Sequence, residues 1–401
     1  MHGKTIALGM MLLGANPAAA EPVKVTPLID TRLRYEAVDQ DGLPREADAV
    51  TARVRAGVQA DAGAFSALIE GEGLLAIVER YNSGTNGRTA HPLVVDPQNI
   101  ELNRAQIQVR AVAGTVVTAG RQRINLDDQR FVGAVAWRQN EQTFDAVRAE
   151  WTGVARLKVD ATYLWSVRTI NGIDGFGARP TAIGGDSVLV NVSYKTKPVT
   201  ITGFAYLIEQ ERAVLRANSG QTYGLRAAGA LPVGQDTRVT YTASYARQSD
   251  TANHPIDYSS DYRLGEFGIE HKALRLSAGY EALGAGKDGA PAAFQTPLAT
   301  LHKFQGFADK FLTTPPGGIR DKYATIGLVL PRPAGIGPIT ASVIYHRFDS
   351  DRGGIRYGDE IDFVATAKLG RTLFLVKYAD YDARGFATDT RKFWVSAEWA
   401  F

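Results

Sequence analysis

A row of arginines in the first half of the sequence has the clearest chemical potential. Read with a period of two, Arg32 and Arg34 lie on one strand face, and Arg53 and Arg55 repeat the pattern. A guanidinium stays charged at physiological pH, and its planar fork binds a carboxylate through two hydrogen bonds. The row comprises Arg32, Arg34, Arg53, Arg55, Arg104, Arg110, Arg148 and Arg156. A row of such groups could bind anionic solutes.

The same faces also carry acidic residues. These are Asp30, Glu36, Glu70, Glu72 and Glu150. Each arginine could therefore pair with a neighbouring carboxylate and serve structure instead of recognition. The alternation of residues does not decide between the two roles, and we keep both open.

Other chemistry has little support in the sequence. Ser342 and His346 share a strand face but lie about 13 Å apart in extended backbone, too far for proton transfer. The chain has no cysteine, which removes disulfides and thiolate metal sites. The adjacent carboxylates of Asp127 and Asp128 are weak support for a calcium site. We therefore predict no enzyme, no cofactor and no metal. A formal net charge of +3 also argues against nucleic-acid binding.

Strands must position the arginine row, because apolar and polar residues alternate along most of the chain. In 237–248, Val239, Tyr241 and Tyr245 oppose threonine and serine residues. The predicted strands are 24–37, 51–60, 64–78, 100–112, 115–121, 143–152, 154–168, 188–194, 199–210, 221–231, 237–248, 262–270, 273–282, 320–330, 338–348, 359–368, 371–381 and 391–401.

The connections between these strands alternate between short and long. Short turns fall near Asp61 and Gly370, for example, and long segments such as 79–99 and 283–319 lie between the short ones. Outer-membrane barrels have this asymmetry, with short periplasmic turns and long extracellular loops. The fold class is therefore all-β: a closed antiparallel transmembrane β-barrel of about 18 strands, with that arrangement of turns and loops. A soluble sandwich or propeller is the alternative.

Both ends of the chain suit the outer membrane of a bacterial cell. Lys4, the apolar stretch 6–13 and the small residues 18–20 predict a secretory signal peptide over residues 1–20. The predicted barrel domain is 21–401. Its last strand ends on the aromatic Phe401 and should pair with the first strand to remove both sheet edges. We expect this terminal strand to be recognised by the barrel-assembly machinery.

The charged segment 120–148 links two predicted strands and could fold into the barrel or lie on the surface. Its pattern G-R-Q-R…D-D-Q-R…W-R-Q…F-D-A-V-R resembles the signature of the alginate-export family of outer-membrane porins. Segment 294–311 is similar to a second stretch of that family. The resemblance implies an 18-stranded barrel whose arginine-lined constriction passes an anionic polysaccharide. It assigns that constriction to Arg121, Arg123, Asp127, Asp128, Arg130, Asp145 and Arg148.

These observations together predict an outer-membrane channel. An alginate-like polysaccharide or small anionic solutes would cross it by passive diffusion through an arginine-lined pore with anion selectivity. The alternatives are a general or small-acid uptake porin, and a structural or adhesive barrel plugged by its own loops. The expected partners are outer-membrane lipid, the solute and the assembly machinery, with the barrel acting as a monomer.

Overall fold

The structure is a computed structural model and describes residues 22–251, 253–331 and 336–400. The predicted signal peptide 1–20, the turn residue Pro333 and the terminal Phe401 lie outside the described residues. Among the residues that are described, no helix is long and apolar enough to cross a membrane.

Eighteen antiparallel strands account for most of the described chain. They are β1 (Lys24–Gln40), β2 (Ala47–Ala62), β3 (Phe65–Arg80), β4 (Asn99–Val109), β5 (Thr115–Gln122), β6 (Thr143–Trp151), β7 (Leu157–Arg168), β8 (Ala182–Lys195), β9 (Val199–Ile208), β10 (Gly220–Pro232), β11 (Thr237–Ser249), β12 (Ser259–His271), β13 (Leu274–Leu283), β14 (Ile319–Leu330), β15 (Ile339–Asp349), β16 (Arg356–Leu369), β17 (Thr372–Ala383) and β18 (Thr390–Ala400).

The sheet closes on itself. Each strand pairs with its neighbours in sequence, and β1 pairs with both β2 and β18. The closing ladder runs from Asp30 opposite Ala400 to Gln40 opposite Thr390. The predicted barrel is therefore confirmed, and each of the eighteen predicted strands overlaps an observed one. The start of β8 was missed, because Gly184 and Gly185 show no side-chain alternation.

The two ends of the barrel differ in the length of their connections. One end carries the turns 63–64, 110–114, 152–156, 196–198, 233–236, 272–273 and 370–371, and the chain also passes from β14 to β15 at this end. The other end carries the loops 41–46, 81–98, 123–142, 169–181, 209–219, 253–258, 284–318, 350–355 and 384–389. This is the predicted asymmetry, with the short turns at the periplasmic end and the long loops at the extracellular end.

The strands also separate two chemical faces. Outward positions are apolar and exposed, as at Leu33 and Ile69, whose exposed fractions are 52% and 55%. Inward positions include Arg34, Arg53 and Trp394, which are almost fully buried. Lipid covers the apolar outer band of such a barrel. The burial of large polar side chains inside means that loops must fill much of the lumen.

Candidate functional site

Two extracellular loops fold into the barrel and bind each other there. We name them L3 (residues 123–142) and L7 (residues 284–318). Val132 of L3 and Leu298 of L7 form a parallel β-bridge, and the Gly133 amide donates a hydrogen bond of 2.8 Å to the Leu298 carbonyl. The sequence left open whether this segment folds into the barrel or lies on its surface, and the structure places L3 inside the barrel.

An aromatic contact fixes L3 against one side of the lumen. The ring of Phe131 lies 4.9 Å from that of Phe204 on β9 and 5.2 Å from that of Tyr262 on β12. It also meets Phe294 of L7, with ring centroids 6.1 Å apart. Apolar burial of this kind holds L3 and L7 on the β9–β12 wall.

Trp137 fixes L3 against the opposite side. The Arg34 guanidinium carbon lies 4.3 Å from the centre of the indole ring, and the Lys377 ammonium nitrogen lies 4.1 Å from it. Trp394 meets the indole edge-on at 5.8 Å, and His302 of L7 stacks on it at 4.4 Å with an interplanar angle of 7°. Trp137 thus binds β1, β17, β18 and L7 at once.

A buried ionic cluster lies beside Trp137 and holds L7. His302 Nδ1 lies 2.7 Å from Asp309 Oδ1, and its Nε2 lies 2.8 Å from the Lys377 ammonium. Asp309 also accepts hydrogen bonds from Arg138 at 2.9 Å and from Lys392 at 3.0 Å. Nδ1 of a neutral ring donates to Asp309 while Nε2 accepts from Lys377. The cluster therefore requires uncharged His302.

Burial and the neighbouring charges together lower the pKa values of His302 and Asp309. Burial holds the pKa of His302 well below its usual range, although Asp309 favours the charged ring. Burial alone would raise the pKa of Asp309, but the positive charges of Lys392 and Arg138 and the hydrogen bond from His302 hold it well below its usual range. His302 is therefore neutral and Asp309 ionised at neutral pH.

The first four arginines of the row lie under L3 and already have partners. Arg32 pairs with Glu398 at 2.6 Å and also donates to three main-chain carbonyls of L3. Arg34 donates to the carbonyl of Trp137 and lies 3.4 Å from Asp96. Arg53 pairs with Asp30, and Arg55 pairs with Glu72. Arg32, Arg34 and Arg55 thus anchor L3.

Three further arginines form ion pairs at the lumen surface. Arg104 binds Glu70 through two hydrogen bonds of 2.8 and 2.6 Å. Arg123 pairs with Glu141 and lies 3.3 Å from Glu70. Arg148 binds Asp160 and Glu150. The structural role that the sequence left open thus applies to these residues.

The remaining residues of L3 join it to distant strands. Arg130 is buried and pairs with Glu281 of β13 at 2.7 Å. Asp127 accepts a hydrogen bond from Asn191 of β8, and Asp128 pairs with Arg226 of β10. These contacts spread over three separate strands, so L3 crosses the lumen.

Arg121 and Asp145 were wrongly placed inside. They pair with each other at 2.8 Å and lie opposite one another in the β5–β6 ladder. Thr118 points inward and is buried, so by alternation Arg121 shares the outer face with Ala119. The resemblance assigned both residues to the constriction, whereas alternation along β6 from the exposed Val147 puts Asp145 on the outer face.

Arg156 and Arg110 lie at the turn end of the barrel. Arg156 is exposed in the turn 152–156 with a φ of 69°, so its assignment to a lumen-facing strand position was wrong. Arg110 follows the last residue of β4 and donates to Gln108. Neither residue reaches L3.

The described part of the chain encloses an outer and an inner chamber between the loops and the wall. The outer chamber has a volume of about 440 Å³ and is lined by loop residues, mainly of L3, L7 and 169–181. The inner chamber, about 340 Å³, lies against strands β10 to β15. Consecutive residues of one L7 turn separate them, because His302 lines the outer chamber and Lys303 the inner one.

The outer chamber is positively charged. Arg138 and Arg179 line it with neutral His302, and no carboxylate is found among its described lining residues. Arg138 is compensated by Asp309, but within the described chain Arg179 has no carboxylate in ion-pair range. Burial, and then the charge of Arg138, lower the pKa of Arg179. Neither arginine was among the predicted site residues, although Arg138 lies within the W-R-Q motif of segment 120–148.

A sequence model described as alginate export matches residues 29–254, which is more than half of the chain. The chain belongs to the alginate export family. It is accordingly an outer-membrane channel of a bacterial cell. The match includes L3, whereas L7 lies beyond the matched range.

Solved structures of outer-membrane barrels share the fold. OccAB4 of Acinetobacter baumannii is 11% identical, with a TM-score of 0.71, and covers 96% of this chain and 100% of its own. OccK9 (OpdG) of Pseudomonas aeruginosa is 13% identical, with a TM-score of 0.70, covering 94% and 98%. OpdK of the same organism is 14% identical, with a TM-score of 0.69, covering 94% and 98%. No curated protein sequence matches the chain.

Proposed function

We propose that this member of the alginate export family passes small anionic, hydroxyl-bearing solutes of the uronate type by passive diffusion. The observation that carries the proposal is the outer chamber, which presents Arg138 and Arg179 without a lining carboxylate. Guanidinium groups bind carboxylates through charge-assisted hydrogen bonds.

The uncharged lining of the outer chamber suits a carbohydrate. Amide side chains line it at Gln142, Asn171, Gln210, Asn218 and Gln295. Amides donate and accept hydrogen bonds, so they suit the hydroxyl groups of a sugar. A uronate carries both groups recognised here, a carboxylate and several hydroxyls.

The interlocked loops favour small solutes over a continuous polymer. Chambers of about 440 and 340 Å³ are in the range that holds compact ligands. A polysaccharide chain would need L7 to leave its contacts with L3 before it could extend through both chambers. A structure of OpdK carries vanillate, a small carboxylate. That precedent is consistent with the size proposed here.

The strand arginines have a supporting part in this proposal. Arg32, Arg34 and Arg55 hold L3 in place through carbonyl and carboxylate contacts, and their donors are largely occupied. Selectivity by direct contact therefore falls to Arg179, with Arg138 beside it. Catalysis has no part in this passive pathway.

Reversal potentials in planar bilayers under a tenfold KCl gradient test the proposal. The wild-type channel should be anion-selective, and Arg179→Gln should lower the anion-to-cation permeability ratio because it removes the uncompensated charge of the outer chamber. Arg156→Gln is the matched control, since it removes the same charge from an exposed turn. It should leave the ratio unchanged.

Three results would count against this assignment. They are cation selectivity of the wild type, an unchanged ratio in Arg179→Gln, and an equal fall in Arg156→Gln. Negligible conductance under all conditions would instead support a barrel plugged by L3 and L7. The monomeric state, the signal peptide and recognition of the terminal strand by the assembly machinery stay predictions.

A further inference from the structure

The inner chamber holds a carboxylate with no cationic partner in the described chain. Glu266 of β12 points into this chamber and accepts one hydrogen bond of 2.7 Å, from the Tyr323 hydroxyl to its Oε2. Its other oxygen receives no hydrogen bond from any described protein group. Three other carboxylates line the chamber, and each has a charged or titratable partner: Asp128 with Arg226, Glu281 with Arg130, and Asp321 with His346.

A glycine lets Tyr323 reach Glu266 across an intervening strand. In the sheet register Gly279 of β13 lies between them, opposite Glu266 on one side and Tyr323 on the other. A Cβ at position 279 would come within 2.3 Å of the Tyr323 ring carbon Cζ. The phenol therefore lies flat over β13 and holds the carboxylate in a fixed orientation.

The same chamber presents a cation that no described carboxylate neutralises. Lys303 of L7 donates its hydrogen bond of 2.8 Å to the main-chain carbonyl of Asp128. Its ammonium nitrogen lies 5.6 Å from the centre of the Phe304 ring. The chamber thus contains one uncompensated negative group and one uncompensated positive group, on the barrel wall and on L7 respectively.

We propose that the inner chamber is a binding site for small zwitterions, with Glu266 receiving the ammonium group and Lys303 the carboxylate. Leu264, Ile344 and Phe307 supply apolar walls for the carbon chain between these charges. A solute with a single charge satisfies only one of the two groups, so it binds in this chamber more weakly than a zwitterion but can still pass through it. The inference goes beyond the proposed anion pathway, since the outer chamber has no lining carboxylate to receive an ammonium.

Three probes of the same carbon skeleton test the site: β-alanine, propionate and propylammonium. Each is added at pH 7 to both sides of a bilayer that holds the full-length channel, and the half-blocking concentration of the current is measured. In the wild type, β-alanine should block at a concentration at least tenfold below that of either singly charged probe.

The variants separate the two contacts. Glu266→Gln should bring the half-blocking concentration of β-alanine close to that of propionate. Lys303→Gln should bring it close to that of propylammonium. Glu270→Gln is the matched control on β12, because Glu270 pairs with Arg238 and Arg275 near the turn end. Tyr323→Phe keeps the charge of Glu266 and should retain most of the block.

Equal block of the wild type by all three probes would overturn the proposal. So would a loss of β-alanine block in Glu270→Gln as large as that in Glu266→Gln. Each variant is first shown to form a heat-modifiable folded barrel of wild-type conductance. If the zwitterion test failed, the expected effect of Arg179→Gln on ion selectivity would still hold, because that effect depends on the outer chamber alone.

Discussion

Acid should release L7 from the lumen, because the docked loop holds His302 in its neutral form. Docked His302 is buried, and its Nε2 already accepts a hydrogen bond from the Lys377 ammonium. Protonating Nε2 would set two positive groups against each other. In the released loop the ring would be in water and would regain an ordinary pKa of about 6.5.

The magnitude follows from proton linkage. The pKa of docked His302 is lowered, so the docking free energy is fully present above about pH 6.5 and falls as the pH drops below it. The loss is about 1.4 kcal/mol per pH unit while the docked ring stays neutral. Between pH 7.5 and 4.5 this gives about 2.7 kcal/mol, which is roughly a hundredfold rise in the released fraction. The lowered pKa of Asp309 acts with the same sign, but only below about pH 4.

Single-channel recording between pH 7.5 and 4.5 measures this fraction as the time spent in the high-conductance state. His302→Gln is the control, because a glutamine amide can donate to Asp309 and accept from Lys377 without titrating. The wild type should show the steep pH dependence, and the variant should be nearly flat. An equal slope in both proteins would refute the reasoning, because His302 would then not be the titrating group.

Two other predictions concern the attachment of L3. Trp137→Ala removes the cation–π contacts with Arg34 and Lys377 and the stacking on His302. The loss should weaken L3 docking by about 2–4 kcal/mol and increase the fluctuations of the single-channel current, with Trp137→Phe intermediate. Fluctuations at the wild-type level in both variants would contradict this prediction. The double variant Val132→Cys and Leu298→Cys joins L3 to L7 at their β-bridge in a chain with no other cysteine. Its oxidised form should lose acid-induced opening and its reduced form should regain it; opening of the oxidised form would show that the two loops need not separate.

The barrel itself could be predicted from the sequence. Alternation with a period of two is visible in almost every strand, and a lipid-facing band permits few exceptions to it. The alternation of short turns and long loops predicted which end of the barrel faces the periplasm. The local alternation of residues was enough to predict the barrel, because each strand pairs mainly with its neighbours in sequence.

The candidate site could not be predicted in the same way. Whether Arg34 is free depends on Asp96 and on the Trp137 carbonyl, both of which come from loops far along the chain. Arg138 and Arg179 meet only because L3 and loop 169–181 line the same chamber. Arg121 was assigned by resemblance alone, and alternation along β5 from the inward Thr118 places it on the outer face.

The most direct test of the account is block of the channel by glucuronate, compared between Arg179→Gln and Arg104→Gln. Both variants remove one positive charge from the protein, but Arg104 already binds Glu70 through two hydrogen bonds. Loss of a charge-assisted contact of about 1.5–3 kcal/mol should raise the half-blocking concentration of Arg179→Gln by roughly 10- to 100-fold, with little change in Arg104→Gln. The reverse order would contradict the account and return selectivity to the strand arginines.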